Sequence, residues 1–215
     1  RLKPDGSLDP AWHGGTVLQF GGRVDHLALL PDGRVVISGY PMYPSSYVDP
    51  GTGATVPVTR DVLRLNSDGS VDESFIIEAL YNYDPTFSDD VIGLAIQTDG
   101  SIIIYGVFDQ LSDGYGTVIN RDYVARITPD GHLDTSFDLG AFSFASGTPI
   151  SQVETISLQP DGKFLMGGDF VDQNGRSKLS RYANGWSSEE LSVSDTGDTI
   201  TWLRSGTSPE LWRVR

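Results

Sequence analysis

A nine-residue phrase recurs along this chain, and a fixed repeat constrains a fold more tightly than any composition does. Arg1-Leu2-Lys3-Pro4-Asp5-Gly6-Ser7-Leu8-Asp9 returns as Arg64-Leu65-Asn66-Ser67-Asp68-Gly69-Ser70-Val71-Asp72 and as Arg126-Ile127-Thr128-Pro129-Asp130-Gly131-His132-Leu133-Asp134. The steps are 63 and 62 residues. A period of this length means that one supersecondary unit is stacked on copies of itself, so neighbours share a core and function belongs to the array.

A second phrase is interleaved with the first: Leu30-Pro31-Asp32-Gly33, Gln97-Thr98-Asp99-Gly100 and Gln159-Pro160-Asp161-Gly162. Both have the chemistry of a hairpin loop, with Pro at the first corner of a type I turn, Asp at the second and Gly at the left-handed position. Across the first kind of hairpin Leu65 is expected to face Val71 and Arg64 to face Asp72. The other copies give Leu2 with Leu8 and Arg1 with Asp9, then Ile127 with Leu133 and Arg126 with Asp134. Across the second kind, Leu27-Ala28-Leu29 faces Val35-Val36-Ile37, Leu94-Ala95-Ile96 faces Ile102-Ile103-Ile104, and Ile156-Ser157-Leu158 faces Phe164-Leu165-Met166. Near-continuous apolar strands are covered on both faces. Each unit reads as strands A, B, C and D of an antiparallel four-stranded sheet with a period of about 62 residues. The 25 Gly and 12 Pro agree with a turn-rich all-β chain. Such sheets packed face to face make a β-propeller-like array.

The phrases Gln159-Pro160-Asp161-Gly162-Lys163-Phe164-Leu165-Met166-Gly167-Gly168-Asp169-Phe170 and Arg64-Leu65-Asn66-Ser67-Asp68-Gly69-Ser70-Val71-Asp72-Glu73-Ser74-Phe75 resemble the delta-60 type of β-propeller repeat of large bacterial surface and secreted proteins. The resemblance covers roughly residues 1–185. It implies a secreted or cell-surface scaffold and brings no family-wide catalytic residues with it. The tail from Thr201 to Arg215 resembles the segment that often follows the last such repeat.

The whole chain, 1–215, reads as a single propeller-like domain. Residues 1–9 are the C–D hairpin of a partial blade, and 24–75, 91–137 and 153–187 are repeats. Residues 188–215 are a degenerate closing blade or the start of a following domain, with strands expected near 191–195, 199–204 and 210–215. A chain that opens inside its own repeat reads as part of a larger polypeptide or assembly. Trp12, Trp186, Trp202 and Trp212 are read as blade caps or fillers, with Trp202 and Trp212 packing together.

A formal charge of −14 opposes binding to nucleic acid and to anionic membrane surfaces. No apolar run approaches the ~20 residues of a membrane-spanning helix. The partners left are proteins, carbohydrates and cations. With no cysteine, disulfides and thiolate metal sites are excluded.

In the A–B–C–D order, the A–B and C–D turns fall at one end of every sheet and the B–C and D–A connections at the other. The tight Asp-Gly turns therefore share one face. The longer connections, 40–60, 76–90, 109–121, 138–152 and 171–178, share the opposite one. Loops held by a rigid scaffold are where binding residues concentrate. Tyr43 and Tyr47, Tyr81 and Tyr83, and Tyr115 lie in three of them, and tyrosine suits stacking on sugar rings or packing on a protein. The competing use of these rings is to cover the blade ends.

Asp109 with Asp113, and Asp169 with Asp172 and Asn174, could supply oxygen ligands for Ca²⁺, although neither set has the spacing of a full calcium loop and both have ordinary turn chemistry. No other cofactor is expected. The three His do not recur, and no nucleophile elbow or phosphate-cradling loop is present. The expectation is a non-catalytic extracellular or cell-surface structural and adhesive module that binds a protein or glycan through its long-loop face. The alternatives are a purely structural segment of a larger propeller and a propeller glycoside hydrolase using a carboxylate pair.

Overall fold

The computed structural model describes residues 1–12, 23–48, 53, 55–80, 90–114, 117–143, 152–184, 187–193 and 200–206. They form strands and turns with no helix. In chain order the strands are β1 (His26–Leu29), β2 (Val35–Val48), β3 (Thr55–Leu65), β4 (Glu78–Leu80), β5 (Asp90–Ile96), β6 (Ile102–Val107), β7 (Gln110–Ser112) and β8 (Val118–Asn120). They continue with β9 (Val124–Ile127), β10 (Phe142–Ser143), β11 (Gln152–Leu158), β12 (Phe164–Asp172), β13 (Ser177–Tyr182), β14 (Ser187–Val193) and β15 (Ile200–Gly206).

Three antiparallel sheets repeat the A–B–C order as β1-β2-β3, β5-β6-β9 and β11-β12-β13. Their registers pair Leu27 with Ile37, Leu94 with Ile104 and Ile156 with Met166, as the hairpin chemistry requires. At each of six turns the glycine amide donates to the carbonyl three residues back, Gly6 to Lys3 and Gly131 to Thr128 among them. Gly6, Gly33, Gly69, Gly100, Gly131 and Gly162 all have φ between 77° and 101°, the left-handed region that costs a side chain about 1 kcal/mol or more.

Among the described residues the expected fourth strand is not formed. D is a single bridge in each copy, Leu2 to Leu8, Leu65 to Val71 and Ile127 to Leu133. The reason lies one residue further on. Asp72 Oδ1 accepts bonds from the Ser74 amide (3.1 Å) and hydroxyl (2.6 Å), and Asp134 does the same with Ser136 at 2.9 and 2.6 Å. This turn bends the chain away just after the bridge and leaves Phe75 and Phe137 buried between sheets.

The middle sheet is packed on both faces. Ile102 and Ile104 join a core with Val36, Val62, Phe75 and Leu111, whereas Ile103 and Tyr105 join a second core with Phe137, Phe164 and Met166. A third, smaller cluster sets Ile37, Leu63 and Leu65 under Trp12. The β14-β15 hairpin is a two-stranded sheet with Leu191 opposite Trp202. Trp186, Trp212 and the strand expected at 210–215 lie outside the described residues.

The arginine that opens each nine-residue phrase ties these sheets together. Within its own hairpin it meets the aspartate eight residues on, at 2.6 Å for Arg1 and Asp9, 2.8 Å for Arg64 and Asp72, and 2.7 Å for Arg126 and Asp134. It also reaches the next copy. Arg1 Nη1 donates to the Ser67 carbonyl at 3.2 Å, Arg64 Nη1 to the Pro129 carbonyl at 3.2 Å, and Arg126 Nη1 to the Asn184 carbonyl at 3.4 Å. Arg64 lies over the Phe75 ring at 4.6 Å and Arg126 over Phe137 at 4.8 Å, each a cation–π contact of about 0.5–2 kcal/mol.

Burial grades these nodes, since the Arg64 side chain is 4% exposed and that of Arg1 is 50% exposed. Arg64→Met leaves Asp72 with its Ser74 bonds and a longer contact to Arg34 at 3.5 Å, and is expected to cost about 3 kcal/mol in urea unfolding, while Arg1→Met costs under about 1 kcal/mol. Equal losses at the two positions would contradict this assignment.

Candidate functional site

The three equivalent B–C connections are built in three different ways, and this sets where the expected site residues lie. In the first copy, 40–48 and 55–60 are strand. β2 and β3 run on beyond the sheet as a two-stranded ribbon, with Tyr43 opposite Arg60 and Tyr47 opposite Val56 in the ladder. In the second copy β7 and β8 form a short hairpin that pairs with β4 from the connection after the first unit, giving a sheet ordered β4-β7-β8. In the third copy 171–178 closes as another tight turn, with the Gly175 amide donating to the Asp172 carbonyl at 2.9 Å. One tight turn therefore stands at the end opposite the other six. Tyr81, Tyr83 and Tyr115 lie outside the described residues.

A glycine at the end of each A–B pairing allows the strands to come this close. A Cβ on Gly39, Gly106 or Gly168 would sit 1.9, 2.0 or 2.3 Å from the carbonyl oxygen of Arg23, Asp90 or Gln152. In the second and third copies the A–B register also shifts just before this point.

The aspartates read as cation ligands are used otherwise. Asp172 is buried, and its Oδ1 accepts the amides of Asn174 and Arg176 at 2.9 Å each. Its Oδ2 accepts Arg176 Nε and the Tyr182 hydroxyl, both at 2.7 Å. Both oxygens are thus committed to a turn and to an arginine–tyrosine pair, in which the exposed Arg176 lies 4.7 Å over the buried Tyr182 ring. Asn174 contributes its backbone amide and is exposed. Asp169 accepts Lys178 Nζ at 3.2 Å. Asp113 is buried at the end of β7, where its carboxylate accepts the Thr117 amide at 3.1 Å and lies 3.7 Å from His132 Nδ1. Asp109 accepts the Arg121 amide at its carbonyl, 3.0 Å. Among the described residues no three His, Cys, Asp or Glu side chains converge as a metal site.

The loop face holds a cleft of about 210 Å³ lined by Asn120, Arg121, Asp122, Asp138, Gly140 and Ala141. Arg121 builds its wall by donating to the carbonyls of Phe137 (2.7 Å), Thr135 (2.8 Å) and Asn120 (2.7 Å), and it lies 3.3 Å from Asp138. Asp122 Oδ2 accepts the Phe142 amide at 3.0 Å, just as Asp61 Oδ2 accepts the Ala79 amide at 2.7 Å in the preceding unit. Burial pushes the Asp122 carboxyl above its ordinary range, and the Asp109 and Asp138 carboxylates push the same way against the Phe142 hydrogen bond. The cleft thus brings together two carboxyl groups, one of them raised by its burial, and an anchored guanidinium. The sequence reading passed over Asp122; the signal was the dipeptide Arg60-Asp61, repeated as Arg121-Asp122 shortly before each clamp arginine.

A larger cavity, about 270 Å³, opens on the tight-turn face between the first two sheets, walled by Leu30, Pro31, Ile102 and Pro129 with Arg34, Arg64 and Asp99. Sequence reasoning placed nothing there, because turn residues are read for backbone geometry.

Two segments of the chain, residues 53–75 and 97–137, match a family model described as a domain of unknown function (DUF5122) beta-propeller. The all-β architecture of small antiparallel sheets is therefore that of a β-propeller repeat protein. The curated proteins contain no match to the chain.

The aspartates give the protein an acid limit. Burial raises the carboxyls of Asp72 and Asp134, but their Ser and Arg hydrogen bonds outweigh it and hold both below the ordinary range. Burial likewise opposes the Tyr182 and Arg176 bonds that keep Asp172 low. A carboxyl depressed by folding contributes stability that is present above its unfolded value and lost as pH falls through the folded one. The melting temperature is expected to hold from about pH 7 to 5 and to drop below about pH 4, where unfolded aspartate protonates. Asp122 has the opposite sign, so Asp122→Asn is expected to leave stability at pH 7 unchanged or raised; a loss above about 1 kcal/mol would contradict the unfavourable burial of its carboxyl.

Proposed function

We propose that this chain is a non-catalytic binding scaffold, extracellular or displayed at a cell surface, that holds a protein or glycan on its long-loop face. The supporting observation is the contrast between the two ends of the sheets. Six turns at one end share one geometry, whereas the equivalent connections at the other end form a ribbon, a hairpin joined to a neighbouring strand, and a tight turn. Uniformity serves stacking, and divergence among copies on one face serves recognition. β2, at 14 residues, spans roughly 45 Å, far more than the sheet needs, and its ribbon carries Tyr43 and Tyr47 past the core.

A broad glycan array and a screen of surface proteins test this reading. A ligand is expected, and Tyr43→Ala with Tyr47→Ala is expected to weaken it at least about tenfold without changing the melting temperature. Blank screens on both libraries would leave the purely structural role as the better account.

The carboxyl pair in the Asp122–Asp138 cleft favours one second reading, a glycoside hydrolase with Asp122 as acid. Chromogenic glycosides would be turned over by the native chain and not by Asp122→Asn. Equal rates in the two would end that reading.

A further inference from the structure

The seam between neighbouring units is built twice, and at its tight-turn end it is filled in one case and open in the other. Between the second and third units the counterpart of Ile102 is Phe164, fully buried with the Phe137 and Tyr182 rings 6.3 and 5.5 Å from its own. Between the first and second units the smaller Ile102 leaves a cavity of about 270 Å³, walled by Leu30, Pro31, Ile102 and Pro129. This cavity is interior to the array, with the β1-β2-β3 sheet on one side and the β5-β6-β9 sheet on the other.

The charges at its rim do not balance. Arg34 meets Asp32 at 2.7 Å and Asp72 at 3.5 Å, and Arg64 meets Asp72 at 2.8 Å, so both guanidinium groups are committed to carboxylates. Asp99 also lines the cavity and is exposed. Its Oδ1 accepts the Ser101 amide at 2.9 Å, and among the described residues no cation pairs with its carboxylate. The difference lies two residues beyond each turn aspartate, where Arg34 pairs with Asp32 and Lys163 with Asp161 while the second copy has Ser101. One carboxylate is therefore left over beside an apolar cavity, in a chain with a formal charge of −14. A volume below the roughly 300–1,000 Å³ of small-molecule sites suits one long side chain. Apolar walls take a methylene stem, and a carboxylate at the rim takes a charged head kept at the edge of water. With one Asp99 oxygen already engaged, a compact ammonium fits better than a guanidinium, whose fork needs both oxygens.

We propose that this cavity receives a lysine side chain of a partner protein, its stem against Pro31, Ile102 and Pro129 and its ammonium on Asp99. The site lies at the opposite end of the sheets from the long-loop face and stands independently of any ligand held there.

Amide NMR of the native chain, titrated with Nα-acetyl-lysine methylamide over roughly 0.1–50 mM, the range of a contact made by one side chain, reads this directly. Saturable shifts are expected at Thr98, Asp99 and Gly100. The norleucine counterpart, which keeps the stem and lacks the ammonium, is expected to bind about threefold more weakly, as suits a pair at the surface. Asparagine serves this turn position as well as aspartate does, so Asp99→Asn is expected to keep the native melting temperature and to weaken lysine binding by a similar factor. Asp99→Lys is expected to abolish it. The proposal would be overturned by a native chain without saturable shifts, by equal affinity for the lysine and norleucine compounds, or by binding that Asp99→Asn leaves unchanged. Tighter binding of the arginine compound would overturn the choice of lysine, and tighter binding of free n-butylammonium would overturn the choice of a protein partner.

Discussion

The arginine at the head of each repeat phrase is the interaction on which the rest of the structure depends. One planar guanidinium closes its own hairpin on an aspartate, lies against a buried phenylalanine and donates to the backbone of the next copy. A hydrogen bond to a charged donor is worth about 1.5–3 kcal/mol, and it is worth most where water is excluded. Lysine could supply the charge but not three geometrically fixed contacts. Propeller-like stacking otherwise rests on apolar packing, which has no direction. The guanidinium gives the stack its register.

That constraint divides the molecule into two ends with different freedoms. Where the arginines and turns sit, every copy must present the same backbone carbonyl at the same place, and the six turns are alike. At the other end nothing in the seam dictates how B returns to C. There the chain has built a ribbon, a hairpin and a tight turn. The carboxylates of Asp61 and Asp122 limit that freedom by fixing where the next connection starts, each through one backbone amide.

The parts of this arrangement readable from the sequence are those with local causes. Pro-Asp-Gly makes its turn through three residues' own preferences, and the registers of β1 with β2, β5 with β6 and β11 with β12 follow from it. The D strand was misread because Val71-Asp72-Glu73-Ser74 and Leu133-Asp134-Thr135-Ser136 read as alternation, while Asp72 and Asp134 turn the chain with their side chains. The ribbon was misread as a loop because Pro41, Pro44 and Pro57 are strand breakers; in a two-stranded ribbon alternate amides point outward, so proline is tolerated. Asp172 resembled a calcium ligand because the spacing that offers oxygens to a cation also organises a tight turn. Its true partners, Arg176 and Tyr182, become visible only once β12 and β13 are paired. The reach of Arg64 to Pro129, 65 residues away, has no local signature. The repeat itself was its only trace.

Hydrogen exchange of the Arg64→Met chain tests the coupling most directly. The Gly131 and Asp134 amides close the hairpin of the following unit, far from residue 64 in sequence. If the arginine holds neighbouring units in register, their protection falls together with that of Gly69 and Asp72 in its own hairpin. Loss confined to residues 66–72, with Gly131 and Asp134 protected as in the native chain, would contradict the account.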